Sequence, residues 1–175
     1  MAKTTVTIAD IAGDFNDADP TATGSGGRQL PWGHHKVRID SVKFKPSEKK
    51  KNKYWFIVEF TLLASTSSQA EVGEEYSWSH DLTNEFFGMA NAKQFLAAAC
   101  GFDPASPQAH GLTTADLQEA VDDEQPLRGR VAKVHVKPKV TEGTSKENPF
   151  PVHDWSPWLK DTVLPAASEV EEGED

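Results

Sequence analysis

Apolar and polar residues alternate with a period of two in several stretches of the chain, and the phase of that alternation predicts which side chains turn inward. Residues 35–45 (HKVRIDSVKFK) place Val37 and Ile39 on one face against Lys36, Arg38 and Asp40 on the other. The phase then slips by one, so that Val42 and Phe44 are apolar while Lys43 and Lys45 are polar. An uncorrected slip would turn every later side chain to the wrong face, so a β-bulge near Asp40–Ser41 is predicted. Residues 54–63 (YWFIVEFTLL) give the strongest strand pattern, with Tyr54, Phe56, Val58, Phe60 and Leu62 inward and Trp55, Ile57, Glu59 and Thr61 outward. Residues 72–82 read as a third strand, with Tyr76, Trp78 and His80 opposite Glu75, Ser77 and Ser79.

The period then changes. Thr83 or Asn84 can cap a helix that Gly101 ends, and Met89, Ala92, Phe95, Leu96 and Ala99 form its apolar stripe. Thr113 or Thr114 caps a shorter helix over 115–124, closed by Pro126. A period of two returns at 127–137 (LRGRVAKVHVK), with Val134 and Val136 inward and Lys133, His135 and Lys137 outward. A last strand over 150–158 carries Pro151 and Pro157, which suits a sheet edge. Five strands with the main helix between the third and fourth is the chain order of an OB-fold, a small, partly open barrel. The predicted fold is therefore mainly β with helices: a five-stranded OB-fold-like barrel over residues 31–160. It is preceded by a flexible N-terminal arm over 1–30, because 14–28 (DFNDADPTATGSGGR) lacks any hydrophobic period. An acidic tail over 161–175 follows, with no aromatic residue.

Composition alone points away from nucleic acid. The 175 residues carry a formal charge of −9, and affinity for phosphates comes mainly from Lys and Arg. Resolved along the chain, the charge changes meaning. Residues 33–60 hold eight basic groups against three acidic, and 128–146 hold six against one. The acids concentrate in 69–127, with eleven against a single base, and in 161–175, with six and no base. Two compact basic segments therefore sit inside an acidic total, on residues that read as strand faces with aromatics interleaved. The longest apolar runs, 54–58 and 95–100, are far too short for a membrane span, and no basic segment followed by an apolar stretch marks a secretory signal. A single cysteine, Cys100, leaves no internal disulfide, and a reducing, cytoplasmic setting is expected.

Catalysis and metal binding find little support. His34-His35, His80-Asp81 and His153-Asp154 are sequential pairs, which on a strand point to opposite faces and cannot chelate from one side. Asp122, Asp123 and Glu124 lie at a helix end before a proline and read as solvated surface. No nucleophile elbow, phosphate loop or triad spacing is present, so neither an enzyme, a metal nor a cofactor is expected. Binding of a single strand, by contrast, needs a basic groove for the backbone and aromatic faces for the bases. The basic candidates are Lys36, Arg38, Lys43, Lys45, Lys49, Lys50, Lys51, Lys53, Arg128, Arg130, Lys133, Lys137 and Lys139. Trp55 is the leading stacking candidate, since its neighbours take the core parity. Trp78 lies on the apolar face of its strand, which suits core packing, and is carried as a second stacking candidate. Trp155 and Trp158 flank Pro157 and suit the capping of a barrel end, with stacking the alternative, and Trp32, just before the first strand, could fold over the sheet in either role.

Three stretches together resemble bacteriophage OB-fold single-stranded DNA-binding proteins over about 130 residues. They are the Gly-x-x-x-Val-x-Ile opening at Gly33–Ile39 with its Lys-rich turn and KYWFIVEF, the Val-Gly-Glu turn at Val72–Glu74, and LRGRVAKVHV with the Gly/Ser loop after it. The resemblance implies sequence-independent binding and protection of single-stranded DNA in phage replication or recombination, in the host cytoplasm. It also implies that Glu169, Glu171, Glu172, Glu174 and Asp175 form a docking tail for replication or recombination proteins, although this tail ends Glu-Gly-Glu-Asp without a terminal aromatic. The same tail could compete with DNA for the basic groove. A homodimer is left open. Two rival readings stand beside this one: a protein-interaction or virion structural module on the same barrel, and an acidic DNA mimic.

Overall fold

The computed structural model describes residues 8, 15, 30–47, 53–83, 88–139 and 150–165. Five strands form one antiparallel sheet: β1 (Gly33–Pro46), β2 (Tyr54–Ser65), β3 (Glu75–Asp81), β4 (Val131–Lys139) and β5 (Phe150–Pro157). Between β3 and β4 lie α1 (Gly88–Ala99), a single turn α2 (Pro107–His110), which the sequence pattern did not announce, and α3 (Thr114–Ala120). The strand order is β3-β2-β1-β4-β5, so β1 is central and pairs with both β2 and β4. Proline-bearing β5 is an edge, as expected.

The alternation in sequence is the alternation in space. Val37, Ile39 and Val42 of β1 turn inward with Phe56, Val58, Phe60 and Leu62 of β2, Trp78 of β3, and Val134 and Val136 of β4. The predicted bulge is present: Ile39 pairs with Phe60 and Ser41 with Glu59, leaving Asp40 as the extra residue. A second, unforeseen irregularity lies between Lys36, opposite Ala64, and Val37, opposite Leu62. Two bulges on one strand pair bend and twist it strongly.

The curl brings the two edge strands face to face, yet the expected barrel does not close. Trp78 of β3 and Trp155 of β5 meet with ring centroids 5.4 Å apart, and both pack on Phe95 of α1. Among the described residues no ladder joins β3 to β5; α1 fills the gap instead. Gln94 Oε1 accepts the Trp155 backbone N–H at 2.9 Å, while Gln94 Nε2 donates to Asp154 at 3.0 Å. An edge donor that a closed barrel would hand to β3 is thus met by a helix amide, which removes the cost of an unpaired buried N–H. On the other edge the Asn91 amide donates to His80 Nε2 at 3.2 Å. Every residue of α1 is buried. Its start must pass close under β3: a Cβ on Gly88 would lie 2.6 Å from the Asp81 carbonyl oxygen.

The N-terminal arm, expected to lie outside the fold, contributes to the core. Ile8 and Phe15 are fully buried, the Ile8 N–H donates to Gln118, and Lys93 of α1 donates to the Phe15 carbonyl at 3.2 Å. Glu169, Glu171, Glu172, Glu174 and Asp175 of the C-terminal tail lie outside the described residues. No helix among those described is long and apolar enough to cross a membrane.

Candidate nucleic-acid interface

The outer face of the sheet collects what the sequence scattered over two segments. Because β1 is central, its outward side chains lie between those of β2 and β4. Lys36 stands directly opposite Lys133, His34 opposite His135, Lys43 opposite Ile57, and Lys45 opposite Trp55. The two basic segments thus meet on one surface.

At the end of the face near the β1–β2 turn, Lys43 and Lys53 are already engaged. Lys43 pairs with Glu59 at 2.8 Å, and this hydrogen bond, with help from Ser41, holds the Glu59 carboxyl below its ordinary pKa despite partial burial. Lys53 lies 4.9 Å from the Trp55 ring centre and pairs with Asp81 at 3.3 Å. Burial pushes the Asp81 pKa up, but hydrogen bonds from Thr83 and Lys53 together bring it below the usual value. Trp55 is half-buried on the outer side, beside exposed Lys45. In mid-face Arg38 is tied to Asp40 at 3.3 Å and to the Thr61 hydroxyl, which itself donates to Asp40 at 2.6 Å.

The opposite end differs. Lys36 and Lys133, facing each other across β1 and β4, make no ion pair with a described carboxylate. Like charges directly opposite on paired strands repel. What stands over Lys36 is an aromatic ring: its Nζ lies 4.5 Å from the centre of Trp158, just beyond β5. Two positions along the ladder, and so on the same face, the rings of His34 and His135 stack at 3.8 Å with an interplanar angle of 12°. Burial, the stacked His34 and the nearby Lys137 and Lys133 outweigh Asp154 and push the His135 pKa down to about 4; burial and Lys133 also lower that of His34. Both rings are therefore neutral at pH 7. Lys137 pairs with Asp154 at 3.4 Å.

The remaining candidates fall in three groups. Arg128 and Arg130 are exposed on the turn before β4; Arg128 Nε donates to the Asp40 carbonyl at 3.1 Å, and the Gly129 N–H donates to the Ile39 carbonyl, which sews this turn to the β1 bulge. Lys139 pairs in the ladder with Phe150. Its side chain, with Lys49, Lys50 and Lys51, lies outside the described residues. Trp78 is corrected from stacking candidate to core residue: it is 0% exposed, with rings of Phe56, His80, Phe95 and Trp155 around it, so no base can reach its faces.

The stack of His34 on His135 is what sequence reasoning missed, and Trp158, read there chiefly as a barrel cap with stacking as the alternative, lies over Lys36. The signal for Trp158 was parity: Trp155 and Pro157 are buried, so Ser156 and Trp158 belong to the outer side. No group of three His, Cys, Asp or Glu among the described residues is placed to hold a metal ion. Compared with protein-family models and with curated proteins, the chain matches none.

Proposed function

We propose that this protein binds single-stranded DNA without sequence preference, on the outer face of a sheet with OB-like connectivity. The fold reading rests on β1 pairing with both β2 and β4, on the helices between β3 and β4, and on a curl that brings Trp78 to Trp155. The observation that carries the function is the Lys36–Lys133 pair under Trp158. Two facing lysines without a described carboxylate partner are a poor internal interaction and a good seat for a phosphate, and the indole over Lys36 offers a face to a base. The sequence resemblance to phage single-stranded DNA-binding proteins points the same way, and makes the tail a docking segment for replication or recombination partners.

A second reading, a protein-interaction module, draws on the ion pairs at Lys43, Lys53 and Lys137, which leave much of the face self-neutralised. Titration with oligo-dT at low salt separates the two. Tryptophan fluorescence should quench and recover as salt rises, and single strands should be retarded in a gel more than duplex. A signal that stays flat at low salt would favour the protein-interaction module.

A further inference from the structure

We infer that a second, uncharged site accepts a nucleobase from the strand bound on the outer face, in a groove at the β1 entry. The inference rests on the DNA-binding reading and extends it. The groove, of about 420 Å³, is lined by Leu30, Pro31, Trp32, Gln69 and Tyr76. Among the described residues its walls carry an indole, a phenol ring, a leucine, a proline and one amide, and no charged side chain. Such walls suit a flat, neutral ring with hydrogen-bonding edges and offer nothing to a phosphate. Trp32 is 45% exposed, so part of its ring is accessible to a ligand in the groove.

The walls are fixed before any ligand arrives. His35 Nε2–H donates to the Pro31 carbonyl at 2.7 Å, and its Nδ1 accepts from the Ser65 hydroxyl at 2.8 Å, which sets the neutral tautomer. The Gln69 N–H donates to Ser67 Oγ at 3.2 Å, and the Glu71 N–H to the Tyr76 hydroxyl at 3.2 Å. The β2–β3 turn is in turn clipped to β1, where the His34 N–H donates to Thr66 Oγ1 at 2.9 Å and the Thr66 N–H to the His34 carbonyl at 3.0 Å. Gly33, at φ +133°, makes the bend between groove and strand, and a Cβ there would lie 2.8 Å from Thr66 Oγ1. A preformed site of this kind spends little ordering entropy on binding.

The occupant follows from continuity. Only Gly33 separates Trp32 from His34, which stacks on His135 beside the Lys36–Lys133 pair. Trp32 lies four residues, about 13 Å of strand, from Lys36, so a DNA strand whose phosphate rests on those lysines can bring a base a nucleotide or two further on to the groove. Stacking there adds affinity without reading sequence, because every base offers a π-face.

The test compares oligo-dT with an abasic oligomer of the same length. Trp32→Ala should weaken oligo-dT binding about tenfold, leave the abasic oligomer unchanged, and be largely rescued by Trp32→Phe. In the wild-type protein the Trp32 indole N–H resonance should shift with oligo-dT and stay still with the abasic oligomer. If Trp32→Ala binds oligo-dT as the wild type does while Lys36→Ala weakens it, the groove proposal fails alone. If the wild-type protein binds neither oligomer, the DNA reading fails and takes this proposal with it.

Discussion

The two ends of the outer face are built from the same materials and are not equivalent. Each has a tryptophan with a lysine against it: Lys53 with Trp55 at one end, Lys36 with Trp158 at the other. At the Trp55 end Glu59 and Asp81 hold Lys43 and Lys53, with Lys45 exposed beside them, whereas at the Trp158 end Lys36 and Lys133 face each other with no described carboxylate as partner, next to the neutral His34–His135 stack. A phosphate arriving at the first end must compete with a carboxylate already in place; at the second it relieves a repulsion. The number of basic residues on a strand therefore says less about anion binding than which of them already have partners. The difference can be broken or sharpened in three ways.

The largest effect concerns acid, because the histidines of depressed pKa lie on the β1, β4 and β5 side. Burial, with His35 and His80 nearby, pushes the pKa of buried His153 down to about 4. It must stay neutral to fold, while in the unfolded chain it titrates near 6.5. The stability it contributes is therefore complete above pH 6.5, declines as pH falls toward 4, and is gone below that. By pH 5 the loss from His153 alone is about 2 kcal/mol. Urea denaturation at pH 7.5 and pH 5 measures it: the wild-type midpoint should fall markedly, and the fall should be smaller in His153→Leu. Equal midpoints for the wild type at both pH values would show that protonation on this side is tolerated.

Next in size is the effect of removing Lys36 and Lys133. Lys36→Ala with Lys133→Ala should weaken oligo-dT binding about tenfold at low salt. The slope of log affinity against log salt should become shallower by about 1.4, since each phosphate contact on a single strand contributes about 0.7. A slope unchanged from the wild type would mean that this end does not hold the backbone.

Much of the frame could be read from alternation and very little of the closure. The Asp40 bulge, the inward set of β2 and the helix between β3 and β4 follow from local phase, which a short window of sequence carries. The open β3–β5 seam does not, because it depends on Gln94 and Asn91 reaching two strands distant in sequence, and in a helix pattern these read as ordinary polar positions. The sequence pattern offers Ile8 as part of a short anchoring segment, but its burial with Phe15 depends on partners distant in sequence, Gln118 of α3 for Ile8 and Lys93 of α1 for Phe15. In the candidate site the basic residues were legible one by one. Their partners were not, since Lys43 with Glu59 and Lys53 with Asp81 are cross-strand pairs that exist only once register is set. Trp78 shows the converse. Its parity already pointed inward, and the stacking role assigned to it followed its residue type against its phase.

The smallest effect is expected where basic residues are conspicuous but engaged. Lys43→Ala with Lys53→Ala removes two cations from the Trp55 end and leaves Glu59 and Asp81 without their partners. Each of these pairs is partly solvated, so its loss should cost less than about 1 kcal/mol of stability. If the carboxylates already neutralise these lysines, oligo-dT affinity should fall by less than threefold, and the salt slope should move by well under the 1.4 expected for Lys36 and Lys133. Removing the acids instead is the sharper half of the test. Glu59→Gln with Asp81→Asn frees both lysines, so affinity should rise and the salt slope should steepen toward that of a face with two more contacts. If the lysine pair proves as costly to lose as Lys36 and Lys133, the strand breaks the ion pairs on binding, and the two ends act as one continuous track.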